Sequence, residues 1–229
     1  MTIQNTITQP TLASKLTAEL CEAIVIGSIP QGSKISEPEL AKRYDVNRGP
    51  LREAIRRLEG VGLVQHIPHA GVRVVTLNAV ELTEIYQVRE ALEGMATRLA
   101  ANNMLDVEID NLKQLLDKHE ESIERSKGKE YFQQEGDFDF HYRVIKGSKN
   151  DYLINQLCSE LYHLIRMYRY RSSKISSRPT RALMEHRNIV TAIEQRDGEL
   201  AEMLMRRHIS TARKNIEQQF LSTEEASNE

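Results

Sequence analysis

From Leu12 the apolar positions Leu16, Leu20 and Ile24 recur every fourth residue, which predicts one face of a helix that Gly27 and Pro30 bring to an end. Ser36-Glu37-Pro38-Glu39 has the form of a capping box: the Ser36 hydroxyl can accept from the Glu39 amide while Glu39 reaches back to the amide of Ser36. A short helix from Glu37 to about Arg43 follows. Tyr44-Asp45-Val46 makes a tight connection, and Asn47 is placed to cap a further helix through Arg48-Gly49-Pro50-Leu51 to Leu58, closed by Gly60 and Gly62. Pro50 falls in the first turn, where its missing amide proton costs nothing. Leu63-Val64-Gln65-His66-Ile67 and Val72-Arg73-Val74-Val75 then read as two short strands around a Pro68-His69-Ala70-Gly71 turn.

Beyond residue 76 nothing reads as a strand. Asn78 with Glu81 makes a second capping pattern, and Leu82, Ile85, Val88, Leu92, Met95 and Leu99 mark one face of a long helix. Similar periodicity runs through about 106–126, 129–147, 151–171, 180–195 and 198–220. The breaks fall at Asn102-Asn103, Lys127-Gly128, Gly147-Ser148, Ser172 to Pro179, and Arg196-Asp197-Gly198. Six helices joined by short loops predict an antiparallel bundle, with no repeat of solenoid spacing. The organisation expected is a flexible polar arm at 1–10, one module at 11–76, a helical module at 77–221 and a polar tail at 222–229.

Charge changes this picture only when it is divided. The 229 residues carry 31 Lys+Arg and 33 Asp+Glu, a formal charge of −2, which excludes a uniformly basic nucleic-acid coat and an acidic disordered chain. Residues 1–76 hold nine basic and seven acidic residues, and 77–229 hold 22 and 26. No apolar run approaches the roughly 18–20 residues of a membrane span, and the first ten residues lack both a charged and an apolar signal region. Cys21 and Cys158 lie far apart in helical, apolar-spaced contexts, as reduced core thiols do. The expectation is a cytoplasmic protein with no membrane association.

The positive charge concentrates on one helix. From Lys42 to Arg57 there are six basic and two acidic residues, with Arg48, Arg52 and Arg56 four apart on one face and Leu51, Ala54, Ile55 and Leu58 on another. Helix, helix, turn, basic helix and hairpin is the order of a winged helix-turn-helix, whose second helix enters the major groove. Residues 12–75, and above all V-x-R-x-P-L-R-E-A-I-x-x-L followed by G-L-V and a wing glycine, resemble the DNA-binding domain of GntR-type bacterial transcription regulators. The resemblance implies that Arg48 and Arg52 contact operator bases and that Gly71 is the wing-tip glycine; the basic face itself adds Arg43, Arg56 and Asn47 as candidate DNA contacts. Asn47 stands where the family usually has Ser or Thr, and Pro38 stands where some members carry a further DNA-contacting Arg.

The histidines of the second module form a second pattern. Asp137 and His141 are four residues apart on the predicted 129–147 helix, about 6 Å along its axis, and both can reach one ion. His186 and His208 are equidistant from Asp197 in the Arg196-Asp197-Gly198 turn, so a helical hairpin brings them to one height. Three histidines and a carboxylate suit Zn²⁺ in the first place, with Ni²⁺, Mn²⁺ and Fe²⁺ as alternatives. Asp139 is the alternative carboxylate, but two residues from His141 it points elsewhere on a helix. His66, His69, His119 and His163 have no comparable arrangement. Asp137-Phe138-Asp139-Phe140-His141 with Asn150, Glu185-His186-Arg187-x-Ile189 and Met205-Arg206-Arg207-His208 resemble the all-helical FCD effector domain of the FadR-type branch of GntR regulators. That resemblance implies a divalent metal on Asp137, His141, His186 and His208, in a pocket that also takes the effector. Arg89 in Tyr86-x-x-Arg89-x-x-Leu92-Glu93 then maps onto an arginine that meets a ligand carboxylate, and Arg166 is the second candidate.

The fold class expected is therefore mainly α, an N-terminal winged helix-turn-helix with a C-terminal all-helical antiparallel bundle. The function expected is a non-enzymatic, homodimeric transcription regulator, a repressor, that binds a pseudo-palindromic double-stranded operator and responds to a metal and a small organic acid. Two other readings compete: a purely structural metal with no effector, and a metal-dependent enzyme, against which stand the DNA module and the lack of a His-Glu-x-x-His segment.

Overall fold

Thr11 caps α1 (Leu12–Val25), its hydroxyl accepting the Ser14 amide, and the fourfold spacing of Leu16, Leu20 and Ile24 puts all three in the buried face. The computed structural model describes residues 11–127, 139–173 and 179–227, so the expected arm at 1–10 lies outside the described residues. Backbone contacts divide the chain into two units, Met1–Thr76 and Leu77–Glu229.

In the first unit α2 (Glu37–Arg43) and α3 (Arg48–Gly60) complete the trihelical core, with Leu40, Leu51, Ala54, Ile55 and Leu58 buried. Ser36 and Asn47 hold the N-cap positions in extended backbone, but neither side chain makes the expected capping bond. At Asn47 the third helical position is Pro50, which has no amide to offer the cap; at Ser36, Pro38 removes only the second-position amide, and the Glu39 amide expected to bond Ser36 is still present. β1 (Val64–Ile67) and β2 (Gly71–Val74) form an antiparallel wing in the register Val64↔Val74 to Ile67↔Gly71. Its turn passes through His69 at φ 64° and Gly71 at φ 79°, the left-handed region that glycine enters without strain. A bridge from Lys34 to Arg73 adds a third, outer segment to the wing.

The second unit is helical. α4 (Ala79–Asn103) is capped by Asn78, which accepts the Glu81 amide at 2.8 Å. It is followed by α5 (Asp106–Arg125), α6 (Phe140–Gly147), α7 (Asp151–Asn155), a π-helical turn Gln156–Glu160, α8 (Tyr162–Ser173), α9 (Pro179–Glu194) and α10 (Gly198–Ser227). α4 lies along α10, α5 along α9, α9 along α10, and α6 packs on α4. Gly94 permits the close approach of α4 and α10, since a Cβ there would stand 2.8 Å from Arg206 Cγ. No helix among the described residues is long and apolar enough to cross a membrane, and Cys21 and Cys158 are free thiols.

Four features depart from the periodicity. Of the helix expected over 129–147, residues 129–138 lie outside the described residues; the described part, α6, starts at Phe140, because Asp139 is extended (φ −101°, ψ 121°) and accepts the His141 and Tyr142 amides as its cap. The helix expected over 151–171 is interrupted by the π turn, which sets Leu157 against Ala96 and Ile145. α10 continues to Ser227, past the expected end near 220 and into the expected tail. The apolar stripe read on α4 is also wrong in part: Val88 and Met95 are exposed (45% and 41%), and the buried face instead carries Tyr86, Arg89, Glu93 and Thr97.

Candidate functional site

Two sites emerge, one in each unit. On α3 the i, i+4 spacing leaves Arg48, Arg52 and Arg56 exposed on one side while Leu51, Ala54, Ile55 and Leu58 seal the other. Arg43 and Asn47 are exposed beside them. Arg57 is used otherwise: its guanidinium hydrogen-bonds Ser14 of α1 at 2.9 Å and Glu53 at 3.0 Å. Gly71 sits in the wing turn, where a Cβ would come within 3.6 Å of the Lys34 side chain. A row of guanidinium forks one helical turn apart can contact phosphates and the acceptor pair on guanine's major-groove edge. Among the described residues, Arg52 alone of the three forms an ion pair, its Nε with Glu37 of α2 at 2.9 Å.

In the second unit the antiparallel hairpin of α9 and α10 puts His186 and His208 face to face, their Nε2 atoms 3.2 Å apart. His141, in the first turn of α6, completes a triangle with ring centroids 5.2 Å from each. One nitrogen from each of the three lies within 4.8 Å of the others, and all three side chains are buried. Phe140 stacks on His186 at 4.1 Å. Two carboxylates orient the rings. Glu93 accepts from His141 Nδ1 at 2.7 Å and Glu185 from His208 Nδ1 at 2.8 Å, so both rings turn Nε2 lone pairs inward. A ring nitrogen bound to an outer carboxylate is the arrangement that holds metal-ligating histidines, and the donor set suits a borderline divalent cation. A cleft of about 360 Å³ between α9 and α10 is lined by Glu185 and His208, while His141 and His186 do not reach it.

The electrostatics follow from burial. Burial holds the three imidazoles below the ordinary histidine range, His208 at about 4, against the opposing pull of Glu93 on His141 and of Glu185 on His208. For Glu93 burial works the other way, but the adjoining Arg89 guanidinium and His141 outweigh it and keep the carboxylate well below its usual range. A histidine kept neutral by the fold contributes stability that is complete above its unfolded pKa of about 6.5 and is lost as pH falls toward the folded value. The metal-free chain should therefore lose about 2–3 kcal/mol from His208 alone between pH 6.5 and 4.5. A melting temperature that stays level across that interval would contradict neutral, buried imidazoles.

Arg89 is buried on α4 with its Nε 2.7 Å from Glu93 Oε1, over the Tyr86 ring at 4.6 Å. Glu93 thus joins Arg89 to His141. Arg166 is buried on α8, its guanidinium 5.8 Å from the Tyr162 ring. Asp137 lies outside the described residues. Asp139, the alternative carboxylate, is fully buried, caps α6 and pairs with Arg169 of α8 at 2.7 Å, so it is not turned to the histidines. Sequence reasoning passed over Glu93, Glu185 and Arg169 as functional residues. An i, i+4 Arg–Glu pair was a signal for the first, but on most helices such a pair is solvated. Of the remaining histidines, His66 and His69 are exposed on the wing, and His119 and His163 are half-buried.

Residues 12–74 match the model of bacterial regulatory proteins of the gntR family, and residues 84–211 match that of the FCD domain. The probable D-xylose utilization operon transcriptional repressor of Paenarthrobacter nicotinovorans is 32% identical over 216 residues, 89% of this chain and 88% of that protein. The gluconate operon transcriptional repressor of Bacillus licheniformis is 26% identical over 213 residues, 91% of this chain and 86% of that one. Among solved structures, E. coli McbR/YncC has the same fold, with a TM-score of 0.71 at 21% identity over 93% of this chain and 100% of that one. With the basic helix α3 in one unit and the helical histidine cluster in the other, the chain belongs to the GntR family of bacterial transcription regulators, in the branch that joins the winged DNA-binding domain to an FCD domain.

Proposed function

We propose that this regulator is a homodimeric repressor whose helical unit holds a divalent metal and releases the operator on binding a small organic acid. The observation that carries the reading is the convergence of three buried imidazoles, two of them fixed by outer carboxylates. His141, His186 and His208 would hold the metal with Asp137 as fourth ligand, zinc being the first choice and nickel, manganese or iron compatible with the same donors. A bound metal supplies positive charge and an open position for a carboxylate or hydroxyl oxygen. Arg89, held in place by Glu93, offers its terminal nitrogens to the ligand's carboxylate, and Arg166 is the second cation of the pocket. The name of the gluconate operon relative supports a hydroxy acid as the class of ligand.

In the first unit, α3 enters the major groove with Arg48 and Arg52 on base edges, Arg43, Arg56 and Asn47 on the backbone, and Gly71 at the wing. A twofold protein on a pseudo-palindromic site fits this use, and the exposed Val88 and Met95 of α4 with Met203 of α10 supply an apolar face for a second copy. For the acid to act, it must bind the operator-competent and operator-incompetent states with different affinity.

Metal analysis and thermal shift test the reading together. The wild-type chain should sediment at twice its mass, carry one metal per chain and melt higher with gluconate or another hydroxy acid, with loss of operator binding. His208→Ala should lose about nine-tenths of the metal while keeping DNA binding. Full occupancy in His208→Ala would remove the metal assignment. Unfolding by chelator, with no acid raising the melting temperature, would make the metal structural and the regulator effector-free.

A further inference from the structure

A carboxylate on a DNA-facing surface works against DNA binding, because it repels phosphates. Glu37 is such a group: it opens α2, is partly exposed, and reaches across fifteen residues to Arg52 on the basic face of α3. Among the described residues, Arg48 and Arg56 on the same face make no ion pair. Stability does not account for the contact. Both side chains are solvent-exposed to a degree (60% for Arg52, 35% for Glu37), and exposed pairs contribute little. α2 and α3 already pack on each other, and Leu40, Leu51 and Ile55 are buried in that unit's core.

The atoms involved suggest another role. Glu37 Oε2 accepts from Arg52 Nε, the inner nitrogen of the guanidinium. The Nη1–Nη2 edge is the fork that meets guanine O6 and N7. We infer that Glu37 is a specificity-determining positioning residue: by binding Nε it fixes the plane of the Arg52 guanidinium, so that the outer edge is presented to guanine in one orientation. This rests on α3 reading the operator. Arg52 is the reading residue, and Glu37 acts through it. Pre-ordering the side chain lowers the entropy lost on docking, and it matters most for the correct base, because a single guanidinium orientation meets both acceptors at once. The carboxylate charge weakens attraction to all sequences equally, so the net gain is in discrimination rather than in affinity.

The test uses the full-length chain. Sequences selected from random duplex DNA define the preferred site, and affinities of wild type, Glu37→Gln, Glu37→Ala and Arg52→Ala are then measured on that site and on duplexes with each G·C pair replaced in turn. Both Glu37 variants should melt as wild type and bind non-specific duplex as well or more tightly. They should also lose about tenfold in discrimination at the G·C position where Arg52→Ala loses it altogether. Wild-type discrimination in both Glu37 variants, with Arg52→Ala defective at one position, would overturn the inference while leaving α3 as the reader. Equal loss of affinity for all duplexes with a lowered melting temperature would reduce Glu37 to a structural contact and overturn it too. Full discrimination in Arg52→Ala would remove the reading on which the inference stands.

Discussion

Glu93→Ala is expected to destabilise the helical unit by about 3–5 kcal/mol, lowering its melting temperature by roughly 6–20 °C. The carboxylate is 2% exposed and serves two neighbours at 2.7 Å each, the Arg89 guanidinium and His141 Nδ1. Its removal leaves a guanidinium buried without a counter-charge and an imidazole N–H without an acceptor, and each is costly where water cannot replace the partner. The same substitution should weaken metal binding about 10- to 100-fold, because His141 loses the contact that sets its tautomer and ring orientation. Glu93→Gln separates the effects, since it keeps the shape and one hydrogen bond but not the charge. Replacing Arg89 and Glu93 together with apolar residues of similar volume should recover much of the stability lost in Glu93→Ala, but not the metal affinity. Calorimetric melting of the four proteins, metal-free and metal-loaded, checks this. A loss below about 1 kcal/mol in Glu93→Ala would mean that the pair is not dry.

Arg52→Ala should have the largest effect on DNA binding, about 1–3 kcal/mol or some 5- to 150-fold for each half-site. The side chain is 60% exposed, so its loss should leave the melting temperature and metal content unchanged. Titration against the selected operator at several salt concentrations distinguishes its role from that of Arg56. Loss of a base contact lowers affinity for the correct sequence most, whereas Arg56→Ala, as a phosphate contact, should weaken all sequences alike and reduce the salt slope by about 1. Unchanged operator affinity in Arg52→Ala would exclude α3 as the reader.

Much of this architecture is legible along the chain because it depends on local rules. The fourfold spacing of Leu16, Leu20 and Ile24 specifies the buried face of α1, and Asn78 with Glu81 specifies the start of α4. The Arg196-Asp197-Gly198 turn also specifies a hairpin, and counting outward from it sets His186 opposite His208 without any knowledge of the bundle. Where the reading failed, proline or a polar core intervened. Pro50 removes the amide that Asn47 would have accepted, and α6 starts afresh at Phe140, capped by the extended Asp139, where periodicity alone gave no boundary. On α4 the apolar pattern pointed to Val88 and Met95, because a face built around Arg89 and Glu93 carries no hydrophobic signal.

The order of the helices and the wing, the helix that carries the positive charge, and the histidines that the helical hairpin pairs all follow from spacing within one or two elements, although several element ends do not. What the charged side chains do follows from packing between elements far apart in the chain. Arg89–Glu93 and Arg57–Glu53 are the same i, i+4 motif in reverse order, yet the first is sealed in the core beside His141 and the second lies on the surface. The difference is solvent: packing of α4 against α6, α9 and α10 removes the water that would otherwise screen the pair, and no local pattern encodes that exclusion. For the same reason Glu37 and Arg52, fifteen residues apart, become partners only once α2 has packed on α3.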